Sequence, residues 1–77
     1  MTQAQLLDLL VARLIRNHGG AKARWRKLAG PVTLYSLKTH PHCNWALNPT
    51  GTGAEIAQIE NLLDELRQSH PVLEADR

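Results

Sequence analysis

His40-Pro41-His42-Cys43-Asn44-Trp45 gathers two of the four histidines, the only cysteine and one of the two tryptophans into six consecutive residues. Imidazole and thiolate side chains can hold zinc or act in nucleophilic catalysis, so this stretch is where chemistry is sought first. A zinc site needs four ligands. His40, His42 and Cys43 offer three, and His18 or His70 a fourth. Structural zinc sites usually pair ligands two to four residues apart and repeat the pair elsewhere, and here there is no second pair. In a strand His42 and Cys43 also point to opposite faces. The simpler expectation is two turn histidines followed by a small buried thiol. Catalysis by Cys43 with His40 or His42 would need a thiolate–imidazolium pair and an oxyanion hole. No such hole is evident, and 77 residues leave little room for a substrate cleft. The expectation is a non-enzymatic chain with no cofactor, in which His40, His42 and Cys43 are the residues a metal would use.

A second group of residues is basic. Lys22, Arg24, Arg26 and Lys27 place four charges in six residues around Trp25, and Arg13 and Arg16 precede them. Cations on a nucleic-acid backbone release counterions, and an aromatic ring can stack on an unpaired base. These seven residues, Arg13, Arg16, Lys22, Arg24, Trp25, Arg26 and Lys27, are the candidate nucleic-acid contacts. A helix, a Gly-Gly turn and a short basic helix loosely follow helix-turn-helix order. The structural alternative is a solvated basic face with Trp25 packed in the core beside Leu28.

Charge is segregated along the chain. Residues 1–40 carry a formal +6 and residues 41–77 a formal −4, for the net +2. Such halves can pair within one chain, between two copies, or with another protein. In a homodimer or adaptor, Arg26 and Lys27 would meet Glu60, Asp64 or Glu65 of the partner, with Leu9 and Tyr35 as the apolar parts of the surface. His18 and His70 fit helix C-termini better than a ligand site.

Pro49-Thr50-Gly51-Thr52-Gly53 links a strand to a helix start, where free amides can hold a phosphate. The Lys-Ser/Thr of a P-loop and the third glycine of a dinucleotide fingerprint are absent. Glu55 would repel a phosphate there, so a capping role accounts for these residues.

The elements that position these groups follow from periodicity. Thr2-Gln3-Ala4-Gln5 is a capping box opening a helix over 2–18. Leu6, Leu7, Leu10, Val11, Leu14 and Ile15 lie on one half of its wheel. Leu9 falls among polar residues and is expected to be exposed. Gly19-Gly20 supplies a left-handed stop. A short helix over 21–29 ends at Gly30-Pro31. Strands are expected over 32–38 and 43–48, joined by a four-residue turn at Thr39–His42. Thr52-Gly53-Ala54-Glu55 is a second capping box, opening a helix over 53–69 whose stripe is Ile56, Ile59, Leu62, Leu63 and Leu66. His70-Pro71 ends it, and the polar tail over 70–77 is expected to fray.

The predicted fold is a small single α+β domain of α-α-β-β-α order. With no Phe, its core must be built mainly from Leu, Ile, Val and Ala. One cysteine excludes an internal disulfide, so a metal or a partner subunit is the available staple. The absence of a basic n-region and of any long apolar run points to a cytoplasmic protein with no membrane association. Binding is the expected function. Nucleic acid is the leading partner, a homodimer or adaptor the alternative, and a metal-binding module the third.

Overall fold

The computed structural model describes residues 1–75. The order is α1 (Gln3–His18), α2 (Lys22–Ala29), β1 (Thr33–Leu34), β2 (Trp45–Ala46) and α3 (Gly53–Ser69). This is the small α+β domain of α-α-β-β-α order that the periodicity predicts.

Both capping boxes form. The Thr2 hydroxyl accepts from the Gln5 amide at 3.3 Å while Gln5 Oε1 accepts from the Thr2 amide at 2.9 Å. At α3 the reciprocal pair is Thr52 and Glu55, at 3.2 and 3.0 Å. Each box satisfies two amides that the first helical turn leaves without partners. The stop after α1 differs in detail from expectation. Gly19 has φ +74° with ψ −164°, an extended conformation on the positive-φ side rather than the left-handed helical one. That region is open essentially to glycine alone.

The three helices enclose one core. Leu6, Leu10, Val11 and Leu14 of α1 meet Trp25, Leu28 and Ala29 of α2 and Ile59, Leu62, Leu63 and Leu66 of α3. Val32, Trp45 and Leu73 complete it. Leu9 is half-buried against this core, not exposed as its place on the wheel predicts. Helix α1 packs against both α2 and α3, so its covered arc is wider than one apolar stripe.

The hairpin is shorter than its alternation suggests. β1 and β2 are antiparallel, with Thr33 opposite Ala46 and Leu34 opposite Trp45. The Tyr35 amide still reaches the Asn44 carbonyl at 2.7 Å, and then pairing stops. The Ser36 carbonyl accepts from the amides of Thr39 and His40, and Ser36 Oγ accepts from the Lys38 amide at 3.2 Å. These local bonds fold the chain back and take Leu37 and Lys38 out of the strand.

The segment after α3 is docked rather than frayed. Pro71 O accepts from the Asn44 amide, and Glu74 donates its amide to Met1 O, forming a parallel bridge with Thr2. Leu73 is buried in the core. Residues 76 and 77 of the predicted tail lie outside the described residues. No helix among the described residues is long and apolar enough to cross a membrane.

Candidate nucleic-acid interface

Helix α2 carries the basic segment, and burial divides it cleanly. Trp25, Leu28 and Ala29 face the core, and the exposed residues are Lys22, Ala23, Arg24, Arg26 and Lys27. Every exposed residue of the helix except Ala23 is therefore a cation. Gly30, with its amide on the Arg26 carbonyl, ends the helix after eight residues.

The cations fall into two sets. Arg24 Nη2 meets Glu55 Oε2 at 2.7 Å, tying α2 to the first turn of α3. Arg26 Nη1 lies 3.4 Å from Asp8 Oδ1, on the opposite flank, towards α1. Arg13 lies 3.9 Å from Glu65 and links α1 to α3. Arg16, Lys22 and Lys27 have no acidic partner among the described residues. Three of the six predicted phosphate contacts thus also bridge elements of the fold, and among the described residues three have no acidic partner. Two of the pairs, Arg13–Glu65 and Arg24–Glu55, join the basic half to the acidic half inside one chain. The Arg26 that was expected to reach the acidic half of a partner is met by Asp8 of its own chain.

Glu55 is the most perturbed of these groups. Its carboxyl is held below the ordinary carboxylate range, first by the Thr52 backbone amide, against an opposing effect of burial, with Arg24 adding a charge-assisted bond. It also fills the glycine-rich helix start, so that site is occupied by the protein's own carboxylate, as the capping reading predicts.

Trp25 is not a stacking platform. Its ring is 7% exposed, and its indole N–H donates to the Gly19 carbonyl at 2.7 Å, with His18 at a centroid distance of 6.2 Å. The indole joins Leu28 and Ala29 as the buried face of α2. This is the core placement beside Leu28 that the sequence offers as the structural alternative.

The histidine–cysteine cluster is dispersed. His40 stacks on Tyr35 with centroids 4.3 Å apart and planes 20° from parallel, and its Nδ1 is 2.9 Å from Thr39 Oγ1. His42 is exposed, while Cys43 is half-buried against the core with its thiol 3.6 Å from the Trp45 carbonyl. Among the described residues no three His, Cys, Asp or Glu side chains converge as a metal site requires. His70 caps α3, and its carbonyl accepts from the Trp45 indole at 2.8 Å. An open groove of about 310 Å³ lies between the start of α1 and β1, lined by Gln3, Ala4, Leu7, Arg26, Pro31 and Val32.

No known protein family, curated protein or solved structure matches the chain.

Sequence reasoning missed one feature of this surface. The alternation places Tyr35 in a strand, whereas it stands at the tip of the hairpin, exposed and paired with His40. The spacing of Tyr35 and His40 across the Ser36–Thr39 turn is the available signal, hidden by the strand-like alternation around it.

Proposed function

We propose that the chain is a non-enzymatic module that binds nucleic acid through the phosphate backbone. One observation carries this reading: an eight-residue helix whose exposed side chains are all cations apart from Ala23. Arg16, Lys22 and Lys27 are the primary contacts, because no acidic side chain among the described residues pairs with them. Arg24, Arg26 and Arg13 contribute more weakly, since a phosphate must compete with their carboxylate partners. Exposed ion pairs hold little energy, so such competition is feasible at Arg26 and Arg13. With Trp25 buried, α2 supplies no base contact. Binding through it is then positional and independent of sequence. The proposal places the protein in the cytoplasm, away from membranes, on the grounds of its unpaired cysteine and lack of a long apolar helix.

The test is the triple variant Arg16→Ala, Lys22→Ala, Lys27→Ala, which removes three charges and no internal ion pair. It is expected to keep its thermal midpoint and to lose affinity for oligonucleotides of any sequence. Unchanged affinity in a folded triple variant would exclude this face. A homodimer or adaptor that uses the charge split is the second reading. It is less supported because Arg13–Glu65 and Arg24–Glu55 already join the two halves within one chain.

A further inference from the structure

The three large aromatic side chains are treated differently by the fold. Trp25 and Trp45 are buried, and each indole N–H donates to a backbone carbonyl. Tyr35 is 40% exposed, and its hydroxyl has no partner among the described residues. Its ring contributes nothing to the core. It is nevertheless held in place, stacked on His40 across the hairpin tip.

That tip is tightly built. Ser36 O accepts from Thr39 N at 3.1 Å and from His40 N at 2.8 Å, and the Thr39 hydroxyl bonds both Ser36 O and His40 Nδ1. Bonds of this number fix where the His40 ring sits relative to Tyr35. Every residue from Tyr35 to His42 is exposed, and Lys38 stands between the two rings in sequence. The chain carries no Asp or Glu between Asp8 and Glu55, so the tip itself contains no carboxylate that would repel phosphate.

We infer that the Tyr35–His40 stack is a base-stacking platform for unpaired nucleotides, with Lys38 on the adjoining phosphate. The inference rests on the nucleic-acid reading and extends it: α2 binds backbone of any kind, and the hairpin tip selects single strands. A pre-stacked pair presents an outer ring face at little ordering cost, and a base added to it extends the stack. Bases offer their faces only when unpaired, so a duplex gains nothing from this site. The structure gives the tip an aromatic surface of the kind that Trp25, being buried, cannot provide.

The test measures fluorescence anisotropy of a labelled single-stranded 15-mer and of a duplex of equal length, for the wild type, Tyr35→Ala, Tyr35→Phe and the Arg16/Lys22/Lys27 triple variant. Tyr35→Ala is expected to weaken single-strand binding by about 5- to 150-fold, the range for one stacked base, and to leave duplex binding unchanged. Tyr35→Phe keeps a ring and is expected to bind like the wild type. Because Tyr35 is exposed, all these variants are expected to melt as the wild type does. If Tyr35→Ala binds single strands normally while the triple variant loses both nucleic acids, the platform is overturned and the basic face stands. If the wild type binds neither nucleic acid, both fall together.

Discussion

Asn44 and Leu73 are joined by two buried hydrogen bonds. The Asn44 carboxamide donates to the Leu73 carbonyl at 2.9 Å and accepts from the Leu73 amide at 2.8 Å. One side chain thereby satisfies both backbone groups of a residue 29 positions away, as a neighbouring strand would. Leu73 can then enter the core without leaving polar groups unpaired. The segment after α3 becomes a structural part of the hairpin, and Asn44 is the buried polar side chain that secures it.

Asn44→Ala is expected to be strongly destabilising. It leaves the Leu73 amide and carbonyl buried without partners, at ~1–3 kcal/mol for each group. In a domain of this size, a loss of about 2 kcal/mol lowers Tm by roughly 10 °C. Thermal unfolding followed by circular dichroism measures this. A Tm within about 2 °C of the wild type would mean that the terminal segment does not depend on this pair.

Glu55 makes stability depend on acid. Its carboxyl titrates below the ordinary range in the folded chain, through the Thr52 amide first and Arg24 after it. A depressed folded pKa contributes stability that is fully present above the ordinary value and is lost as pH falls through the folded value. The loss is expected from about pH 4.5 downwards. Glu55→Gln keeps an acceptor for the Thr52 amide but loses the charge facing Arg24. The Tm difference between wild type and Glu55→Gln is expected to shrink steadily between pH 5 and pH 3. A constant difference over that window would contradict the assignment.

Two glycines two positions from each other should respond in opposite ways. Gly51 has φ +119°, and a Cβ there would meet Leu28 Cδ2 at 3.0 Å. Gly51→Ala is expected to cost more than ~1 kcal/mol through backbone strain and this contact. Gly53, the first residue of α3, has nothing within 4 Å of an added Cβ. Gly53→Ala is expected to be neutral or to stabilise by up to ~1 kcal/mol, because it restricts the unfolded chain. Urea titration of the two variants compares them directly.

Both tryptophans are buried, so fluorescence should be insensitive to binding at α2. Emission is expected to be blue-shifted, resistant to iodide, and unchanged when an oligonucleotide is added. Strong quenching on binding would place Trp25 at the interface after all.

Much of the fold is legible in the sequence because its determinants are local. Thr2 with Gln5 and Thr52 with Glu55 mark the two long helix starts, and leucine spacing marks the faces that they bury. What is not legible depends on pairing between distant segments. Leu73 looks like one of a few apolar residues in a polar tail until Asn44 is seen to bond both its amide and its carbonyl. Tyr35 and Leu37 alternate as a strand would, yet Ser36 folds the chain back through its own carbonyl and hydroxyl. The basic segment is plain in the sequence, but its division into cations with and without an acidic partner depends on where Asp8, Glu55 and Glu65 come to rest. Trp25 fits either a platform or a core residue by type alone, and its place on the buried face of α2 decides for the core.

The most direct test of the central claim is the salt dependence of oligonucleotide binding, measured by anisotropy between 50 and 200 mM salt for the wild type and the Arg16/Lys22/Lys27 triple variant. With three to five phosphate contacts, wild-type affinity for duplex is expected to fall by about 40- to 500-fold over that range. Removing Arg16, Lys22 and Lys27 should flatten the log–log slope by about one for each residue. Absence of wild-type binding at 50 mM salt, or a slope that the triple variant leaves unchanged, would contradict the account.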